Sequence, residues 1–349
     1  MAREGLDALL ISTFENRLYI SGFSGSAGFL FITDSELILA TDSRYTEQAS
    51  IESKGFTIKR VSSKLDWLID LIKITGVKRV GFEADDITVN MHHTLVSETN
   101  KLNSGQTKKI EMVGTSNIVG DLRQVKTSDE IQILKQVCSI TDQAMDTVTP
   151  SIVAGMTEQE VSWMLEQAMR NFGGEKMSFD VIVAAGANAA LPHHRPDSST
   201  MKSGDSVVID MGCVYQNYCS DLTRTIVIDQ PDDRFLQIYK TVLDAQIHAE
   251  AEARPGMSGA DIDYLARSII SDAGFGDQFG HSLGHGVGLE VHEQPWISAN
   301  SKNIIEPGMV FTIEPGIYIP GWGGVRIEDV VVMKETGVEL LNKAKKMTI

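Results

Sequence analysis

The sequence predicts an α+β fold in two domains: a smaller N-terminal α/β domain over residues 1–124 and a larger domain over residues 125–349. Three observations lead to it. The chain has 349 residues, more than one ordinary core of about 150 residues needs. Compact strands and an amphipathic helix alternate within the first 82 residues. Beyond Arg123-Gln124-Val125-Lys126, helical stretches are separated by strand pairs, the pattern of an α+β domain.

Taken in order, Leu6 to Ser12 is a compact apolar strand, and Gly28 to Thr33 with Glu36 to Thr41 reads as a hairpin around Asp34-Ser35. Gly22-x-x-Gly25-x-x-Gly28 lacks dinucleotide-binding spacing and runs into a strand, so it reads as a glycine-rich loop. Leu65 to Thr75 is an amphipathic helix and Arg79 to Phe82 a short strand. His92 and His93 lie on a polar segment with no third ligand nearby and are expected to be solvated. Thr127-Ser128-Asp129-Glu130 is a capping-box pattern that opens a helix toward Ala144. Thr157-x-x-Glu160 opens a second, with Val161, Met164, Leu165 and Ala168 on one face. Two more follow near Asp232 to Ala253 and Ser258 to Ala273, His248 falling on the polar side of the first.

Composition narrows the function. Hydrophobic residues at 42% and charged residues at 22% are globular proportions, which excludes collagenous, disordered and small disulfide-stapled classes. Lys plus Arg number 31 against 47 Asp plus Glu, a net charge of −16, so neither nucleic acid nor an anionic membrane is an expected partner. No apolar run approaches the ~18 residues of a membrane span, and the first residues lack a signal-peptide pattern. Cys138, Cys213 and Cys219 form no CxxC, and an odd count without a framework fits a reducing cytoplasm.

The chemistry concentrates in two predicted hairpins. Asp205 to Cys213 is an apolar-rich strand, and Cys219 to Ile228 returns after Tyr215-Gln216-Asn217-Tyr218. Asp210 and Asp221 are expected to face each other there, with Cβ atoms about 4.5–5.5 Å apart. Met309 to Ile319 and Val325 to Met333 read as strands around Pro320-Gly321-Trp322-Gly323-Gly324, with Glu314 and Glu328 symmetric about Gly321. Like charges among buried Val and Ile are costly, and metal coordination is the usual resolution. His281, His285 and His292 occupy one glycine-rich run, and His193 with His194 follows another glycine- and alanine-rich stretch. Among four inward carboxylates, one of these imidazoles reads as a ligand. That set, with no thiolate, suits Mn, Co, Fe or Zn in a two-metal site. Two such ions ~3.5–4 Å apart activate a water and polarise a carbonyl, which is hydrolase chemistry.

A rival motif is present. Gly280-His281-Ser282-Leu283-Gly284 matches the G-x-S-x-G elbow of serine hydrolases. The elbow needs a buried strand before it and a helix after it. Ala273 to Phe279 is too polar and glycine-rich for the first, and Gly284 to Gly288 is ill suited to the second. A nucleophilic Ser282 would also leave both carboxylate pairs unexplained.

These residues resemble the M24 metallopeptidases, in the branch of Xaa-Pro aminopeptidase (aminopeptidase P) and prolidase. The matching pieces are Ile209-Asp210-Met-Gly, Ser220-Asp221-Leu-Thr-Arg224-Thr225, Gly284-His285-Gly-Val-Gly-Leu, Val291-His292-Glu293, Thr312-Ile-Glu314-Pro315-Gly316 and Val325-Arg326-Ile-Glu328-Asp329. Arg123-x-x-Lys126 followed by Glu130 is similar to the family's domain junction. The resemblance implies a pita-bread catalytic domain over 125–349 behind a creatinase-like N-terminal domain over 1–124. It implies Asp210, Asp221, His285, Glu314 and Glu328 as ligands of two divalent ions, Asp221 and Glu328 bridging them. Glu314 would also shuttle the proton, and His193 and His292 would steady the developing oxyanion, a role worth roughly 2.7–4 kcal/mol per donor. His281 and Arg326 would support the ligands, Arg326 by holding a carboxylate. The family's N-terminal domain commonly dimerises, so a homodimer is expected. Non-catalytic peptide-binding relatives have lost ligands that this sequence keeps.

Substrate length is where the chain departs from its relatives. Many carry His-Glu-x-Pro-Arg, whose arginine can hold a dipeptide's terminal carboxylate. Here the run is His292-Glu293-Gln294-Pro295-Trp296. Tryptophan offers no charge, so bidentate carboxylate contact is lost. The reading that follows is a cytoplasmic aminopeptidase releasing the residue before proline from longer peptides. A dipeptidase is the alternative if Arg195, Arg326 or a second subunit supplies the charge.

Overall fold

The computed structural model describes residues 1–62, 65–104 and 109–348, which gather into two units, Met1–Arg123 and Gln124–Ile349.

The first unit is built on a six-stranded sheet in the order Thr57–Arg60, Leu37–Thr41, Phe29–Thr33, Ala8–Ile11, Arg79–Glu83, Glu111–Thr115. Ala8–Ile11 pairs antiparallel with Phe29–Thr33 and parallel with Arg79–Glu83. Its residues are buried throughout because alternate side chains enter cores on opposite faces: Ala8 and Leu10 join Trp67, Leu68 and Leu95, while Leu9 and Ile11 join Phe23, Leu30 and Ala49. The glycine-rich run is the loop between the Phe14–Ser21 helix and Phe29–Thr33, Gly22 closing the helix in left-handed geometry. His92 and His93 lie on a helix, Val89–Asn103, whose few buried residues include Leu95 and Thr99.

In the second unit, two helix pairs flank the strands: Ser128–Val148 with Glu158–Asn171, and Asp233–Glu252 with Gly259–Asp272. Thr127/Glu130 and Thr157/Glu160 form the reciprocal capping boxes that their spacing predicts, and Ser258/Asp261 forms a third. The Asp329–Lys334 strand sends Val330 and Val332 into the core under the first pair, and Val331 and Met333 into the core under the second. It belongs to a five-stranded sheet with Glu293–Ile297, Gly284–Gly286, Val310–Ile313 and Gly337–Leu340. Ser206–Met211 lies between Ile182–Ala185 and Leu222–Val227 in a second, antiparallel sheet. No helix among the described residues is long and apolar enough to cross a membrane.

One expected register is corrected. Asp210 faces Thr223, not Asp221. The turn is a tight one through Gln216 and Asn217, both with positive φ, and it pairs Tyr215 with Tyr218. Counting outward from that turn puts 210 opposite 223, two residues beyond the expected partner. Asp221 instead sits in a break between Tyr218–Cys219 and Leu222–Val227. In the second hairpin, Ile313 pairs with Asp329 and Gly316 with Arg326, so Glu314 and Glu328 keep the expected register. Both lie in the gap between two short sheets, where Pro315 has no N–H to continue a ladder.

Candidate metal centre

Each polar side chain at the centre is aimed by its own local backbone. Ser220 and Cys213 lock the break before Asp221, Ser220 N donating to Cys213 O at 2.9 Å and Cys213 N donating to Ser220 Oγ at 3.0 Å. Gly212 lies opposite, and a Cβ there would stand 2.1 Å from Ser220 O, so no larger residue fits. Gly284 is constrained in the same way by Thr312 O at 2.0 Å, which lets the His285 strand lie against Val310–Ile313. With His285 Nδ1 donating to Gly286 O at 3.1 Å, its Nε2 faces Glu314 Oε1 at 3.3 Å and Asp221 Oδ2 at 3.6 Å. Glu328 Oε2 accepts from Thr223 Oγ1 at 2.7 Å.

Asp210 carries the most informative atom. Its Oδ2 accepts from Arg326 Nη2 at 2.6 Å, while its Oδ1 is buried with no hydrogen-bond partner among the described residues. Asp221, His285 and Glu328 can present donor atoms that all lie within 4.8 Å of one another. Burial, then mutual repulsion, pushes the Asp221 and Glu328 carboxyls well above the ordinary range. Burial also raises Asp210, against the pull of Arg326. It acts the same way on Glu314, but the His285 contact outweighs it and holds that carboxyl at about 2. An orphaned oxygen, three carboxyls that resist ionisation and an imidazole nitrogen turned inward are what hard divalent cations satisfy.

The Arg326 guanidinium organises the surroundings. Its Nε donates to Thr223 Oγ1 at 3.1 Å and its Nη1 to Tyr318 OH at 2.9 Å. His281 Nδ1 donates to Ser282 O at 2.8 Å, which leaves Nε2 to accept from Tyr318 OH at 3.1 Å. Burial lowers His281 and pushes Tyr318 up to about 12, so both stay neutral. Tyr318 escaped the sequence reading because Gly-Ile-Tyr-Ile looks like any apolar strand. The one hint was its place, four residues after Glu314.

The carboxylates open into a cavity of about 380 Å³, also lined by His193, Arg195, Ser282, His292 and Trp296. The His292 ring lies 4.2 Å from that of His285, and Trp296 is 41% exposed. Glu293, next to His292, is held by Lys126 Nζ at 2.7 Å in a buried ion pair. Arg195 has no hydrogen-bond or ion-pair partner among the described residues. Ser282 Oγ meets no imidazole there either, both His281 nitrogens being engaged elsewhere.

Residues 132–335 match the M24 metallopeptidase family, and residues 1–125 match the creatinase/prolidase N-terminal domain. The chain belongs to the M24 metallopeptidase family. It is 39% identical over 348 residues to a Xaa-Pro dipeptidase of Pyrococcus furiosus, covering 99% of this chain and 96% of that one. It superposes with a TM-score of 0.94 and 39% identity on a Xaa-Pro dipeptidase from Bacillus anthracis, covering 100% of this chain and 96% of that one. An X-Pro aminopeptidase from Thermotoga maritima gives 0.88 and 38%, covering 98% and 97%. The M24 chain is therefore a metallopeptidase of pita-bread fold with a creatinase-like N-terminal domain, and membership brings divalent-metal use with it.

Proposed function

We propose that this metallopeptidase is an Xaa-Pro dipeptidase holding two divalent ions through Asp210, Asp221, His285, Glu314 and Glu328. The observation that carries the dipeptide reading over the longer-peptide one is whole-length similarity to proteins named Xaa-Pro dipeptidase or prolidase. Arg195 adds to it. The charge that Trp296 lacks is available at the cavity wall, on a guanidinium that no described residue engages. Arg326 cannot serve, because its fork is committed to Asp210, Thr223 and Tyr318.

Bound ions of this class supply a water acidic enough to attack near neutral pH and a positive charge for the carbonyl oxygen. The protein's groups do the rest. Glu314 takes the water's proton and returns it to the proline nitrogen as the bond breaks. His193 and His292 donate to the carbonyl oxygen as charge builds on it. Arg195 receives the proline carboxylate, and Trp296 gives the ring an apolar plane. The same reading makes the enzyme a cytoplasmic homodimer. Three buried, unbridged cysteines support the compartment, and the creatinase-like N-terminal domain supports the dimer. Manganese-loaded enzyme should cleave Ala-Pro with higher kcat/KM than Ala-Pro-Ala, and exhaustive chelation should abolish both activities. A clear preference for the tripeptide would restore the aminopeptidase reading.

A further inference from the structure

His193 and Arg195 reach the cavity on residues 191–200, a stretch with little regular structure of its own. What holds it is a carboxylate outside the metal centre. Glu158 opens the Glu158–Asn171 helix, its side chain has no solvent exposure, and it contacts none of the five proposed ligands. Its Oε1 accepts from Ala185 N at 2.8 Å and Asn188 Nδ2 at 3.0 Å. Its Oε2 accepts from His194 Nε2 at 2.7 Å and Asp197 N at 3.2 Å. The loop repays the contact: Ser199 O and Asp197 O accept from Glu158 N and Gln159 N, two of the donors that a helix start leaves orphaned. A carboxylate is tolerated at this depth because both oxygens are filled and the helix dipole favours the charge.

Two other uses of this cluster fail on the same bonds. Glu158, His194 and Asp197 could offer atoms to a cation, but two backbone N–H groups and an amide already occupy the carboxylate. His194 could be taken for the reactive imidazole, but its Nε2 is engaged at 2.7 Å.

We propose that Glu158, acting through His194, is a positioning residue for His193. The pin turns the second imidazole of the pair into the protein and so presents the first to the substrate carbonyl. The proposal rests on the dipeptidase reading for the role of His193, and the experiment separates the two. Manganese-loaded, full-length Glu158→Gln, His193→Ala, His194→Gln and His194→Leu are compared by kcat and KM on Ala-Pro, bound metal and Tm. Glu158→Gln can still accept from Ala185 N, but its amide confronts the Asp197 N–H. Its kcat should fall about 10- to 100-fold, the scale of a catalytic group displaced by an ångström, with bound metal unchanged. Combined with His193→Ala it should cause little further loss, because its effect runs through that histidine. His194→Gln, which can still donate to Glu158, should keep most of the activity that His194→Leu loses.

Additive losses in the double variant, equal damage from both His194 variants, or the loss of one metal ion per chain in Glu158→Gln would each overturn the proposal and leave the dipeptidase reading standing. Full activity in His193→Ala would overturn the proposal together with the role given to His193, and failure of the wild-type enzyme to cleave Ala-Pro would overturn the dipeptidase reading itself. Should Glu158→Gln fail to fold, the two His194 variants decide the matter alone.

Discussion

Replacing Arg326 with lysine keeps a positive charge and removes a fork. Four bonds radiate from the guanidinium: Nε to Thr223 Oγ1 at 3.1 Å, Nη1 to Tyr318 OH at 2.9 Å and to Pro192 O at 3.4 Å, and Nη2 to Asp210 Oδ2 at 2.6 Å. The Arg326 and Asp210 side chains are 4% and 14% exposed, so water substitutes poorly for what is lost. A lysine ammonium is a compact donor that cannot span these partners at once. If it turns toward Thr223 or Tyr318, Asp210 loses a charge-assisted bond worth about 1.5–3 kcal/mol, and its Oδ1 is no longer held toward the other carboxylates. Supporting partners of this kind change metal affinity by roughly 10- to 100-fold, or about 1.4–2.8 kcal/mol at 1.4 kcal/mol per tenfold. The two figures agree. Arg326→Lys should therefore release its weaker-bound Mn²⁺ at 10- to 100-fold lower concentrations of a competing chelator. Adding excess Mn²⁺ should recover a large part of the lost activity. Wild-type affinity in a variant that has nonetheless lost activity would refute the route through Asp210 and put Arg326 to work on the substrate.

Burial, opposed by Lys346, raises Glu250 from 4.5 to about 7. Between those values the folded chain keeps a proton that the unfolded chain releases, so stability falls by about 3 kcal/mol as pH rises through the window. Glu250→Gln should then favour the fold more at pH 8 than at pH 5, and the opposite order of Tm differences would disprove the assignment. Gly212→Ala places a methyl 2.1 Å from Ser220 O, so calorimetry should show a loss of about 1–3 kcal/mol together with weaker metal binding as Asp221 moves; an unchanged Tm would refute the steric reading. Arg195→Ala should raise KM for Ala-Pro by about 10- to 100-fold, as expected for a lost bond to a charged group, and leave the C-terminal amide of Ala-Pro unaffected. An equal response from both substrates would remove Arg195 as the carboxylate's partner.

Much of this arrangement is legible in the linear chain where the signal is local. The Thr127/Glu130 and Thr157/Glu160 boxes need only four residues each, and Gly321 centres the Glu314/Glu328 register. Asp210 and Asp221 are not equidistant from the turn: its centre lies between Gln216 and Asn217, which puts 210 opposite 223 and leaves Asp221 in the break before the strand. The Val89–Asn103 helix is hard to read because its apolar stripe is thin: Met91, Leu95 and Leu102 face the core, with the polar Thr99 buried between them. Glu158 was visible only as a first-turn acid. Its partners lie 27 to 39 residues further along, and no spacing rule reaches that far. Tyr318 was hidden for the opposite reason, being one more bulky residue in a strand full of them.

The way the Asp329–Lys334 strand divides its side chains bears on which length changes this protein can survive. Val330 and Val332 serve one core and Val331 and Met333 the other, so the strand is a partition wall shared by two rooms. A point substitution on it disturbs one room. Deleting a single residue exchanges the furniture of both, because a one-place slip reverses every side chain, and it pulls on Glu328 at the same stroke. Insertions and deletions accumulated over evolutionary time, or introduced in the laboratory, should accordingly be tolerated in outer turns such as Pro320–Gly321, and should be scarcest in these six residues.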